Sequence, residues 1–195
     1  MSIQIVVSRY NEDIAWTKQF PNVVIYNKGA DDLSPEYIVK PLPNVGREGH
    51  TYYTHICDNY DSQDGYDYTV FLQGNPFDHS PNLITNLSKY ADSIPDINIE
   101  FEFVSEDILY CKLSGCVWDR SLPLREVYKR VFGDQLEVVD FVFGNGAQFI
   151  VSWKQIRSRS KEFYMNIVKM LENEKDPMEG YVIERFHKLI FTSAG

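Results

Sequence analysis

Residues able to do chemistry gather in three short stretches, 8-SRYNED-13, 27-NKGADD-32 and 73-QGNPFDH-79, each following an apolar run. Ser8, Arg9, Asn11, Glu12 and Asp13 supply donors and acceptors suited to a base, a ribose and phosphates; the alternative is a capped loop of solvated charges. In the third stretch an acid follows a strand-like run, where a carboxylate is costly unless it is solvated, hydrogen-bonded or bound to a cation. Asp78, with Asn75 and His79 beside it, is thus a candidate metal ligand or catalytic carboxylate. Mg²⁺ or Mn²⁺ needs only one or two protein oxygens when a diphosphate supplies others. The competing reading is an Asp that caps a helix beginning near Pro81.

A fourth segment, 46-GREGH-50, adds glycines that bring the backbone close, an Arg47 able to clamp a phosphate, and a helix start that favours an anion. A glycine turn with an exposed Arg–Glu pair accounts for it equally well. His50 and His55 do not share a helical face and make a poor metal pair, and His187 in ERFHKLIF reads as a packed or surface residue. The basic residues Lys154, Arg157, Arg159 and Lys161 open a helix where the dipole prefers acids, so they face either an anion or solvent. GxGxxG, GxxxxGK[ST] and GxSxG are all absent, which disfavours a dinucleotide fold, a P-loop and a serine hydrolase. Cys57, Cys111 and Cys116 are odd in number without CxxC spacing, which fits a reducing, intracellular setting and gives no zinc signature.

The elements that must position these residues begin with two β-branched apolar runs, Ile3 to Val7 and 23-VVIY-26, as expected of strands buried on both faces. Between them NEDIAWTKQF has room for a short helix capped by Asn11, and a strand–helix–strand start implies parallel pairing in an α/β sheet. Residues 27–49 read as a long irregular loop. His50 to Tyr60 carries aromatic and apolar side chains at helical spacing, Tyr68 to Leu72 is a third strand, and 81–91 suits a second helix. The segment Asn98 to Cys116 alternates apolar residues and acids. Leu124 to Phe132 reads as helix and 141-FVFGNGAQFIVSW-153 as strand, glycine turn, strand. Trp153 to Leu171 and Pro177 to Phe191 read as two long helices parted by ENEKD. No repeat or linker divides residues 1–195, so one domain is expected.

The 195 residues, 44% hydrophobic, are enough to bury a core without disulfides or structural metal. A net charge of −9 argues against nucleic-acid or anionic-membrane binding, since either needs a concentrated positive field. No run approaches a membrane span, the amino terminus reads as a strand and not a signal peptide, and the ending FTSAG is consistent with a boundary inside a longer polypeptide. A cytoplasmic location is expected.

Taken together, SRYNEDIAW, VIYNKG, LPNVGREGHTYYTHI, TVFLQGNPFDH and GYVIERFHKLIF resemble a domain family found in fungi, bacteria and large algal DNA viruses, which includes a glycosyltransferase domain of chlorella viruses. The resemblance covers nearly the whole chain. It implies a GT-A like fold, a central mixed and mostly parallel sheet flanked by helices, binding a UDP-sugar with Mn²⁺ or Mg²⁺ and transferring the sugar to a glycan acceptor in viral or surface glycoprotein synthesis. It points to Ser8, Arg9, Tyr10 and Glu12 for the nucleoside, and Asn27, Arg47, Gln73 and Asn75 complete the expected donor-binding set. The usual acidic DxD metal motif corresponds to 73-QGNPFDH-79, where the only acid is Asp78, so Asp78 and His79 are the expected metal ligands. Asp78 and Asp140 are the candidates for the base of an inverting reaction; a retaining one needs no such base. Two other readings stay open: a non-catalytic nucleotide- or glycan-binding module, and a phosphatase or nuclease, the latter weakened by the lack of clustered carboxylates.

Overall fold

The computed structural model describes residues 2–62, 65–92, 98–116, 119, 121–134 and 140–192. Its centre is a six-stranded mixed sheet in the order β3-β2-β1-β4-β9-β5, formed by β1 (Ile3–Arg9), β2 (Val23–Asn27), β3 (Ile38–Pro41), β4 (Tyr68–Gln73), β5 (Phe101–Phe103) and β9 (Phe149–Ser152). β3, β2, β1 and β4 are parallel, while β9 runs antiparallel to both β4 and β5. Alternate residues enter opposite cores, which explains the unbroken apolar runs. Val6, Tyr26, Phe71 and Phe149 face one core, and Val7, Ile25, Leu72 and Ile150 face the other.

The first core is roofed by α1 (Arg47–Asn59), α5 (Lys161–Leu171) and α6 (Met178–Thr192), with α3 (Leu124–Phe132) beside them. The second is closed by α2 (Leu83–Asp92) and by a 3₁₀ turn over Ala15–Gln19. A three-stranded antiparallel sheet, β7 (Gly115–Cys116), β6 (Ile108–Lys112) and β8 (Asp140–Gly144), packs against α6. The architecture is a single α/β domain with a mixed, mostly parallel sheet flanked by helices; the apolar runs implied the parallel strands, and the family resemblance the mixed sheet.

Several local expectations are corrected. Asn11 is not a cap: Asp13 Oδ1 accepts the Ala15 N–H at 2.8 Å, and only a 3₁₀ turn follows. Inside the supposed loop 27–49, β3 adds an edge strand, where its closing Pro41 is tolerated because no neighbour needs its N–H. The glycine turn after β8 does not make a hairpin; it carries the chain from the small sheet to the large one, since β8 pairs with β6 and β9 with β4 and β5. The long helix from Trp153 is broken into α4 (Trp153–Ile156) and α5, with Ser160 accepting the Phe163 N–H at the new start. Cys111 and Cys116, treated as unpaired from the sequence, face each other across β6 and β7 as a disulfide, with Cα atoms 4.8 Å apart; Cys57 is free.

Three of the four basic residues near α4 and α5 are engaged by the protein itself, while Lys154 is exposed. Arg157 donates to the Tyr60 and Ser62 carbonyls, Arg159 to the Ile190 carbonyl, and Lys161 pairs with Asp61 at 2.7 Å. These side chains tie α1 and α6 to α5.

Candidate functional site

β1 and β2 pair with Arg9 opposite Asn27, and β1 and β4 with Ser8 opposite Gln73, so the three polar loops leave the sheet side by side. Chain order reverses here, with β2 on one side of β1 and β4 on the other, which is where open α/β sheets place ligands. A cavity of about 560 Å³ occupies this point. Ser8, Arg9, Tyr10 and Glu12 line one wall, Gln73, Asn75 and Asp78 another, and Lys28, Asn44, Arg47, Glu48, Lys175 and Asp176 the remainder.

The β1 loop is held rigid from beneath. Arg9, 6% exposed, donates Nη1 and Nη2 to the two oxygens of Asp31 at 2.9 and 2.7 Å, Nη1 also to Asn27 Oδ1 at 3.0 Å, and Nε to the Glu12 carbonyl at 2.8 Å. The bidentate bond to the Asp31 carboxylate raises the Arg9 pKa, and the same bond lowers that of the Asp31 carboxyl. Glu12 Oε2 accepts the Tyr10 and Asn11 N–H groups at 2.7 and 3.1 Å. Gly74 is required beneath it, because a Cβ there would lie 2.7 Å from Glu12 Oε2. Of the expected ligand residues, Arg9 stands in the cavity lining and Asn27 outside it. Arg9 braces the β1 and β2 loops, and Asn27 is buried and not in the cavity lining, with Oδ1 also accepting the Gly29 N–H and Nδ2 donating to the Asp31 carbonyl.

Arg47 is likewise engaged. Its backbone at φ 51 follows Gly46 at φ 61, and this left-handed entry turns the start of α1 beneath the α5–α6 connection, where the Gly46 N–H reaches the Glu174 carbonyl at 2.8 Å. The guanidinium stacks 3.9 Å over the Tyr181 ring and lies 3.7, 3.5 and 3.8 Å from Glu48, Asp176 and Glu184. Glu184, buried on α6, accepts the Gly146 N–H at 2.9 Å; burial and the nearby Glu48 raise its carboxyl pKa. The helix start therefore meets protein carbonyls, and Arg47, expected as a phosphate clamp, stands in the cavity lining with these carboxylates around it.

Sequence reasoning missed Lys28 and Lys175. Lys28, 8% exposed, donates Nζ to the Val45 carbonyl at 2.6 Å and to the Arg47 carbonyl, and burial lowers its pKa to about 8. Lys175 is exposed, with Nζ 5.3 Å over the Tyr10 ring, itself 42% exposed at the cavity mouth. The signal for Lys28 was its place directly after a buried strand end. Lys175 and Asp176 lay in the charged break ENEKD and had no local signal.

The β4 loop is anchored by Gln148 Nε2 to the Pro76 carbonyl at 2.8 Å and by Trp16 Nε1 to the Gly74 carbonyl at 3.0 Å. Ser8 Oγ is 2.9 Å from Thr51 Oγ1, while Gln73 and Asn75 line the cavity. Asp78 is exposed in the lining, and among the described residues its carboxylate has no hydrogen bond or ion pair. The helix-cap alternative for Asp78 is set aside, since Glu106 Oε1 accepts the Asn82 N–H at 2.9 Å before α2. His79 is not in the lining; its ring lies against Gly146, where a Cβ would come within 2.5 Å of Cδ2. Asp140 stands on β8 in the small sheet, 3.6 Å from Lys112 and in a different cavity, so it is not a base for this site.

Whether the chain fits a divalent ion follows from these contacts. Among the described residues no group of three or more His, Cys, Asp or Glu side chains could hold a metal. Of the expected pair, His79 is turned away, and of the four cavity carboxylates Glu12, Glu48 and Asp176 already have partners. One oxygen ligand, Asp78, does not make a preformed Mn²⁺ or Mg²⁺ site.

The geometry defines an α/β domain with a polar, mixed-charge cavity at the carboxyl end of its parallel strands. The sequence profile of the family described as "Protein of unknown function (DUF3431)" matches residues 5–123 and 117–195, and the chain belongs to that family. No curated protein and no solved structure matches it. Among the described residues, no helix is long and apolar enough to cross a membrane.

Proposed function

We propose that the protein is a glycosyltransferase that takes a UDP-sugar and transfers the sugar to a glycan acceptor. The observation that carries this reading is the cavity at the strand-order reversal, lined by hydrogen-bonding loops from β1 and β4 and holding one unengaged carboxylate, Asp78. The GT-A like character expected from the motifs is part of the same proposal, supported by the mixed sheet with β9 reversed beside β4.

In this reading Tyr10 offers an exposed ring for the base, Ser8, Gln73 and Asn75 offer polar contacts, and the braced β1 loop orients the donor. For an inverting transfer, Asp78 accepts the proton of the acceptor hydroxyl as its oxygen bonds to the anomeric carbon. The bond from that carbon to the diphosphate oxygen breaks, and the diphosphate leaves with the electron pair. Among the described residues no group of His, Cys, Asp or Glu forms a metal site, so no step is assigned to a metal ion.

That lack is also the specific observation behind the second reading, a nucleotide- or glycan-binding module without catalysis. A donor screen that measures UDP release with wild type and Asp78→Asn separates the two. Acceptor-stimulated release that falls at least tenfold in a folded Asp78→Asn variant supports transfer; no release from any UDP-sugar, with binding retained, supports the module.

A further inference from the structure

We propose that the diphosphate of the nucleotide is held by the ammonium groups of Lys28 and Lys175, with no requirement for a divalent ion. This rests on the nucleotide-sugar reading and replaces the metal that the motif resemblance implied. Among the described residues the cavity offers a cation one unengaged carboxylate: Glu12 is tied to two backbone N–H groups, Glu48 lies 3.7 Å from Arg47, Asp176 meets Arg47 and the Tyr181 hydroxyl, and Asp78 stands alone. It does supply ammonium groups. Lys28 is more than nine-tenths buried and lines the cavity, yet among the described residues no carboxylate lies within ion-pair distance of it.

Lys28 is hydrogen-bonded by carbonyls while Glu48 acts on it from beyond ion-pair distance, so its charge lacks the close counter-ion that buried charges ordinarily need. Two of its three N–H donors go to the Val45 and Arg47 carbonyls. The third is available to a ligand oxygen. Its depressed pKa has the same origin, burial without a full counter-charge, and an anion bound beside it would raise that pKa again. Arg47, the other inner cation, already faces three carboxylates. Lys175 lies across the opening on the α5–α6 connection with a ring for its partner, so it can turn to a phosphate at little loss.

The test is calorimetric titration of UDP, uridine and inorganic pyrophosphate into the full chain, first in EDTA and then with Mn²⁺. The expected result is UDP binding in EDTA, with affinity changed less than about threefold by Mn²⁺. Lys28→Met should weaken UDP and pyrophosphate binding by about tenfold or more, the loss of one charge-assisted hydrogen bond, with uridine unchanged. Thermal unfolding reports whether the variant folds. If it does not, Lys175→Met, at an exposed position, carries the test with a smaller loss for UDP and pyrophosphate. UDP binding seen only with Mn²⁺ overturns the inference while leaving the nucleotide reading intact. Pyrophosphate binding in EDTA without uridine or UDP selectivity supports the ammonium site and removes the nucleotide reading. No binding of any of the three under either condition removes both.

Discussion

Acidification from pH 7 to pH 5 should destabilise this domain by several kcal/mol, because two histidines are buried as neutral rings. His187 is fully enclosed by Phe149, Tyr52 and Tyr53, with its ring centroid 4.6 Å from that of Phe149, and its Nδ1 is 2.8 Å from the Tyr53 hydroxyl. His55 sits between Tyr26, Phe71 and Trp153, with Nδ1 3.1 Å from the Tyr26 hydroxyl. Burial pushes both imidazoles down to about 3, with Lys40 adding to the effect at His55. The unfolded chain protonates near 6.5, so between these values it binds protons that the folded state refuses. The stability contribution is fully present above about 6.5 and is lost as pH falls towards 3.

At pH 5 each ring costs about 2 kcal/mol, roughly 4 kcal/mol together, a large part of a typical 5–15 kcal/mol total. His50, lowered to about 4 by burial and by Lys28, acts in the same direction. Glu184 opposes them: its carboxyl is raised, so its contribution is present at low pH and is lost as pH rises through its folded value. Urea unfolding followed by circular dichroism at pH 7, 6 and 5 measures the balance. The expected slope near pH 5 approaches a loss of about 2.7 kcal/mol per pH unit from two protons, reduced by Glu184 and steepened in Glu184→Gln. Stability unchanged or higher at pH 5 than at pH 7 would refute the reasoning, since the histidines would then be charged or solvated in the folded state.

Other expectations follow from single contacts. Phe149→Ala should lose about 3–5 kcal/mol in denaturant unfolding, because a fully buried ring packed on Phe71, Phe101 and His187 leaves a cavity. Gly46→Ala should lose at least about 2 kcal/mol, combining left-handed strain with a Cβ placed 2.5 Å from the Leu171 carbonyl oxygen. Gly74→Ala should fold but weaken UDP binding severalfold in calorimetry, since its Cβ displaces the Glu12 carboxylate that fixes the Tyr10 and Asn11 N–H groups. Asp140→Asn should leave UDP binding and sugar transfer unchanged within about twofold, as its carboxylate meets Lys112 in the other sheet.

The parallel core was legible because strands buried on both faces must be apolar throughout, and Ile3 to Val7 and Tyr68 to Leu72 show that without any partner in view. The polar loops after them were legible for the same reason, since chemistry at a strand end has to follow the strand in sequence. The partners those side chains choose were not. Arg9 reads as a free phosphate ligand until Asp31, on the next loop, takes both its outer nitrogens. The GNG turn reads as a hairpin because local turn chemistry says nothing of which distant strand β9 will join, and that choice is made by β4 and β5. Lys175 enters the cavity only through the packing of α5 and α6 over α1, a contact with no local trace.

The most direct test of the central claim is to map UDP onto the backbone amides of the ¹⁵N-labelled chain by NMR titration. The account predicts saturable shifts at residues 8–12, 28, 73–75, 77–78 and 175, around the carboxyl ends of β1, β2 and β4. Shifts confined to other surfaces, or none that saturate, would contradict it.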